Sequence, residues 1–413
     1  MDRERTDWGG VVFGFSLACL IAFQQFKLPP VMPAMLAEYG WDRTLAGAFM
    51  AVYALAGLLF SIPIGRFLQR GDVFRLLIAA LSLMLLGDLM TLVRPQSGGL
   101  VLLARTLEGA AFAVGAIAGP ALATRSASRR HLGFVLGLTS AWIPVGQLLA
   151  TGLALVLPDW QSLWLSAAAA TAILLAWSFA IRRHGSLAAA PAAARRERLR
   201  PSQRQRWQLL FAAGIFLLWS TQYFAFMTWL PQYLVEVVGL GHRGAAAGYA
   251  LPVMVLLGFN MLTGLALGAG LSLGPLLSVA LLSQAAVWWL IPLVHGPAAG
   301  VGLLIAYGIG AGITPTCLFS LPTAVLGQAG APTGFGFVMT GRNIGVLLGP
   351  VLLAEVTKPP GGWAAAWPLF GALTAGAVLT AVALAVMLRR LEAHGVAGKE
   401  DHRGTEAQRR GQA

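Results

Sequence analysis

Twelve apolar stretches, each long enough to cross a bilayer and separated by short turns, leave this chain few folds to choose from. A spanning helix needs about 20 apolar residues. Such runs are read near residues 9–27, 45–64, 74–93, 100–122, 133–157, 161–181, 207–229, 244–266, 274–294, 299–321, 335–356 and 365–388. They are continuous and rich in Leu, Ala and Gly, without the alternation of a membrane barrel. An all-α membrane protein with twelve transmembrane helices is therefore expected. Composition agrees, with 57% hydrophobic and 11% charged residues, where a soluble domain carries about 25% charged. The first run follows Asp2, Arg3, Glu4, Arg5 and Asp7 and lacks a small-residue cleavage site, so it reads as a span and not as a removable signal.

An even number of spans puts both termini on one side, and basic residues mark that side as cytoplasmic. Of the 29 Lys and Arg, 22 fall in the amino-terminal segment, the turns at 65–75 and 125–132, the segment 182–206 and the carboxy-terminal tail. The other side holds Lys27, Arg43, Arg94, Arg243 and Lys358, while Arg105 and Arg342 lie inside spans. The formal charge of +13 thus describes orientation in a cytoplasmic membrane and attraction to anionic lipid heads. No folded basic domain suited to nucleic acid is present in the pattern.

The chain also repeats itself at a spacing of about two hundred residues. Gly115-Ala116 with Pro120 returns as Gly310-Ala311 with Pro315, Gly133-Phe134 as Gly334-Phe335, and Trp160 with Trp164 as Trp363 with Trp367. Glu38, Arg43 and Gly47 are answered by Glu236, Arg243 and Gly248. The order of these echoes argues for two parallel six-helix halves, 1–181 and 207–390. Between them, 182–206 reads as a basic cytoplasmic linker with eight Arg and one Glu, and 391–413 reads as a disordered cytoplasmic tail.

Two parallel six-helix halves with a substrate site between them is a transporter plan. The strings Arg105-Thr-Leu-Glu-Gly109, Trp229-Leu-Pro231, Gly341-Arg-Asn-Ile-Gly345 and Gly349-Pro350 resemble the major facilitator superfamily, most closely its cyanate and nitroimidazole permease-like branch. The resemblance implies the major facilitator fold, alternating access, and a cavity surrounded by spans one, four, seven and ten. It places a cytoplasmic gate in the turn after span two, here Gly65, Arg66, Arg70 and Asp72. Gln69 stands where the family has Asp, and the matching turn from Gly264 to Gly274 carries no charge. Close helix packing through Gly264, Gly268, Gly270 and Gly274 is expected to replace the missing ion pairs.

Charges inside the spans are the sharpest clues, since a central Arg or Asp costs at least about 2.5 kcal/mol on the lowest scale. Asp88 in span three and Arg105 in span four are expected at a shared depth, with Glu108 on the face of Arg105. Two carboxylates beside one guanidinium admit two readings: a neutralising cluster that orients helices, or a proton-coupling site with Glu108 first and Asp88 second. Arg342, with Asn343 beside it, has no acid within four residues on its helix, so it either snorkels to the surface or binds an anion. Lys27 with Gln24 at the outer end of span one poses the same choice. Trp219, Gln222, Tyr223 and Phe226 on span seven, and Tyr307, Gly310, Thr314 and Cys317 on span ten, are the further lining implied by family geometry, with Pro315 breaking the tenth helix. Trp142 and Gln147 on span five carry the same ambiguity between packing and contact.

All six histidines fall in turns or tails, no His-Glu-x-x-His motif occurs, and Cys19 and Cys317 have no metal-like spacing. No enzyme, metal site or cofactor is expected. The reading is a monomeric, proton-coupled secondary transporter of a small organic solute, anionic or weakly acidic. Drug-type efflux of amphipathic compounds by proton antiport is the alternative.

Overall fold

The computed structural model describes residues 5–70, 72–128, 130–184, 201–293 and 296–387, with side chains described throughout except at 60–71, 183–184 and 328–333. The side chains of Gly65, Arg66 and Arg70, the linker centre 185–200 and the tail 388–413 therefore lie outside the described residues.

Each expected span falls on a helix. The helical segments are Trp8–Tyr39, Arg43–Arg70, Val73–Val93, Gly98–Ser126, Leu132–Ser140 with Trp142–Val156, Trp160–Arg182, Gln203–Glu236, His242–Gly268, Leu273–Leu293, Pro297–Gly327, Gly334–Val356 and Trp363–Met387. They are numbered one to twelve in that order. Local chemistry sets their ends. Asp7 accepts from Gly10 N at 3.1 Å, Ser97 caps span four, and Ser202 and Gln205 form a reciprocal capping box on span seven. Asp72 caps span three through Phe74 N and Arg75 N.

Three expectations need correction. Span one does not stop at residue 27: Pro29 and Pro30 sit in the first turn of a second helical piece, where a missing N–H is harmless, and the helix runs on to Tyr39. Pro315 does not break span ten, and the non-helical residue comes later, at Gly327 with φ 67°. Gly264, Gly268 and Gly270 make no close helix contact, since a Cβ added at any of them would meet no atom within 4 Å. Only Gly274 lies close to a neighbour, Ala385. Close backbone approaches occur instead at Gly14 against Ala123, Gly146 against Cys19 and Gly341 against Ala213.

The duplication is visible as matching contacts. Trp160 donates to Glu38 at 2.9 Å in the first half, and Trp363 donates to Glu236 at 2.8 Å in the second. Residues Thr6, Asp7 and Ser126 meet at one end of the molecule, as do Gln205 and Val325, so both halves begin at the same face. This is called the terminal face here, and the end holding residues 39–44 and 355–363 the opposite face.

Candidate functional site

Two polar centres lie in the interior, one inside the first half and one between the halves. The first grows from the proline pair. Pro29 lacks the N–H that Gln25 O would otherwise receive, and Arg105 supplies a substitute: its Nη2 donates to Gln25 O at 3.1 Å. The same guanidinium donates from Nη1 to Gln24 O at 3.0 Å and from Nε to Phe49 O at 3.2 Å. Arg105 thereby fastens span four to spans one and two through main-chain carbonyls.

Arg105 also pairs with Glu108, at 2.7 Å one turn along the helix. Lys27 joins the same group, bonded to Asp88 and lying 3.4 Å from Glu108. Gln24 donates to Asp88 Oδ2 at 2.7 Å and to Thr171 at 2.8 Å. Tyr53 donates to Glu108 and accepts from Arg105, its hydroxyl also lies 3.1 Å from Gln24 O, and the Arg105 guanidinium lies 4.2 Å from the Tyr53 ring centroid. Lys27 also stands 4.4 Å from the ring of Trp164. Lys27, Asp88, Arg105 and Glu108 are all fully buried. Lys27 therefore neither snorkels nor stands free, and the expected imbalance of two carboxylates against one guanidinium is replaced by two cations against two carboxylates. Fully paired, such a cluster is tolerable in a low-dielectric interior.

The second centre is a cavity of about 130 Å³ between the halves. Gln25 from span one, Tyr53 and Gly57 from span two and Phe112 from span four face Met339, Arg342 and Asn343 from span eleven. Arg342 donates to Asn343 Oδ1 at 3.2 Å and lies 5.3 Å from the Phe224 ring centroid. It is buried, with 6% exposure, so it does not snorkel, and among the described residues no carboxylate pairs with it.

The other expected lining residues sit elsewhere. Trp219 donates to Gln284 at 3.0 Å and Gln222 to Tyr307 at 3.1 Å, both inside the second half. Thr314 is buried and returns its hydroxyl to Gly310 O. Tyr223 and Tyr249 meet Gln147 across the halves, at 3.4 and 2.7 Å. Gln25, Tyr53, Phe112 and Met339 were not singled out from sequence. The available signal for Gln25 was helical phase, since it points one position round from Gln24 and Lys27.

Over the cavity the opposite face is tied shut across the halves. Arg43 makes a two-pronged bond to Glu236 at 2.6 and 2.7 Å and lies 5.7 Å from the Trp363 ring centroid. Lys358 donates to Thr44 at 2.7 Å and stands 3.8 Å from Asp42, while Thr44 also bonds Glu355. Beneath this layer, a Cβ on Gly47 would meet Pro350 O at 2.7 Å. Asp72 pairs with Arg75 and Arg182 at 3.3 and 3.2 Å, all within the first half.

Comparison with known proteins speaks to family and fold. Residues 14–350 fit the family model described as Major Facilitator Superfamily. Among solved structures, the chain is similar to one titled as a bacterial homolog of the human lysosomal transporter Spinster, in an inward-facing and occupied conformation. That likeness has a TM-score of 0.66 at 13% identity and covers 94% of this chain and 96% of the other, and it speaks to fold alone. No curated protein sequence matches significantly. Helical architecture, internal duplication and family match agree: the chain belongs to the major facilitator superfamily.

Proposed function

We propose that the protein is a proton-coupled secondary transporter of a small organic anion, working as a monomer in the cytoplasmic membrane with both termini inside. The observation that carries this reading is Arg342: a buried guanidinium on the cavity between the halves, beside the Asn343 amide, with no carboxylate among the described residues to neutralise it. A buried charge is costly unless paired, and a substrate anion would complete the pair. The first-half acids favour this over efflux of amphipathic cations, because Asp88 and Glu108 are already bonded to Lys27 and Arg105. Sidedness rests on the basic turns at the terminal face, and the closed opposite face then corresponds to a transporter shut toward the outside.

Glu108 is the proposed proton carrier. Tyr53 lines the cavity and bonds Glu108, so one side chain separates the substrate space from that carboxylate. Lys27, Arg105 and Tyr53 face Glu108 directly, and Asp88 lies behind Lys27. Gln24, Lys27 and Arg105 then act through the cluster, while Trp219, Gln222, Tyr223 and Thr314 shape the second half around the cavity, and Gly65, Arg66, Arg70 and Asp72 form the cytoplasmic gate.

The test is thermal stabilisation of the purified protein by anions and by lipophilic cations at two pH values. An anion at a hundred times its Kd adds about 2.7 kcal/mol, and Arg342→Ala is expected to abolish that gain. Stabilisation by cations alone would overturn the anion reading. In reconstituted vesicles Glu108→Gln should remove the pH dependence of transport, and retained dependence would return the cluster to a purely structural role.

A further inference from the structure

We infer that the substrate is a monocarboxylate carrying one compact apolar body, about the size of a single six-membered ring. This rests on the anion reading above and narrows it by charge, by shape and by surface chemistry.

Charge comes first. The cavity is bordered by two basic systems, but only one is available. Arg105 is spent on three main-chain carbonyls, Tyr53 and Glu108, and Lys27 on Gln24, Asp88 and Glu108. Arg342 gives one bond to Asn343, so the rest of its five donors remain for a ligand. The site thus offers a single positive charge in a planar fork that suits a carboxylate. A second carboxylate would be buried without a counterion, which is strongly unfavourable.

Shape sets the size. An apolar cavity of about 150 Å³ is known to hold benzene, and the cavity here is about 130 Å³. A bicyclic body is larger than benzene and is expected to exceed this volume once its carboxylate is included. Surface chemistry sets the body. Away from Arg342 and Asn343 the wall is chiefly Ala54, Phe112, Ala113, Ile117, Met339 and Val346, so a ligand that is polar throughout would lose its hydration without replacement. Two further polar groups lie on that side: the Tyr53 hydroxyl, already engaged by Glu108 and Arg105, and the Gln25 side-chain amide, which makes no hydrogen bond among the described residues.

The experiment is equilibrium binding to the full-length purified protein with five probes: benzoate, terephthalate, 2-naphthoate, cyanate and benzamidinium. Benzoate is expected to bind with a Kd of about 1 mM or tighter, and at least tenfold more tightly than terephthalate, 2-naphthoate or cyanate. Arg342→Gln should weaken benzoate at least tenfold. Ala113→Leu, which keeps the guanidinium and fills the cavity, should weaken benzoate while sparing cyanate. This second variant separates shape from charge, and each variant's unliganded melting point shows whether it is folded. Arg342-dependent binding in which terephthalate, 2-naphthoate or cyanate matches benzoate would overturn the size and charge inference and leave the anion reading standing. Benzoate binding indifferent to Arg342→Gln, or benzamidinium binding alone, would overturn both. Absence of saturable benzoate binding would overturn the inference.

Discussion

Lys27→Met removes one positive charge from a site with no exposure and leaves Asp88 and Glu108 facing Arg105 alone, a net charge of −1 within the first half. Removing one partner of a buried pair costs about 3–5 kcal/mol, since the survivor stays desolvated and unpaired. For a unit of this size each kcal/mol lowers Tm by about 2–4 °C, so a fall on the order of 10 °C is expected. The protein carries its own reporters. Cys19 in span one and Cys317 in span ten are its two cysteines, both buried, one in each half. A thiol-reactive dye therefore reads unfolding of the first half when Cys317 is replaced by Ala, and of the second when Cys19 is replaced. The drop should appear in the Cys19 signal first. Adding Asp88→Asn restores neutrality, keeps an amide opposite Gln24, and should recover most of the loss, with a coupling of about 3 kcal/mol or less. If Lys27→Met melts with the parent, or if the double variant is no better than the single, the paired-cluster account is wrong.

Glycine positions separate packing from mere small size. Gly341→Val should abolish folded protein, because even a Cβ there would stand 2.1 Å from Ala213 O, whereas Gly264→Ala should melt no lower than the parent and gain about 0.5–1 kcal/mol from helix propensity; size-exclusion profiles and melting curves distinguish these outcomes. Arg43→Ala or Glu236→Gln should loosen the opposite face and raise alkylation of a cysteine introduced at the buried Ala46, with the larger difference from the parent at low salt, since such a pair contributes only about 1 kcal/mol or less. The contact between Asp42 and Lys358 should persist throughout the physiological range. Burial alone would raise the Asp42 carboxyl, but its bonds to Thr44 and the charge of Lys358 more than offset this and hold it below its ordinary value. A lowered carboxylate adds stability above its unfolded pKa and loses it only as pH falls through the folded one. Transport by Asp42→Asn should therefore keep the parent's pH profile between about pH 5 and 8, and a flattened profile would relocate the proton site to this face.

Helices and duplication were legible because both are written along one dimension. Apolar run length marks a span, and Glu38 with Trp160 and Glu236 with Trp363 recur in order and then bond in the same way in each half. Rotation about a helix axis is harder to read. Gln24 and Gln25 are neighbours in sequence, yet one turns its side chain to Asp88 and the other to the cavity. Depth was also hidden: the first span reads as ending near residue 27, but Pro29 and Pro30 open a new helical piece, and Lys27 is left buried beneath it. Local sequence separates Arg342 from any acid on its own helix, while only tertiary contacts reveal that no acid among the described residues comes to it from another helix. The two findings are connected. Had Lys27 stayed at the surface, the first half would present an uncompensated carboxylate to the cavity wall, which would oppose the anion binding proposed at Arg342. Because Lys27 is drawn in, the first half is neutral beneath Tyr53, and among the described residues the net buried charge facing the cavity is that of Arg342, on which the anion proposal rests.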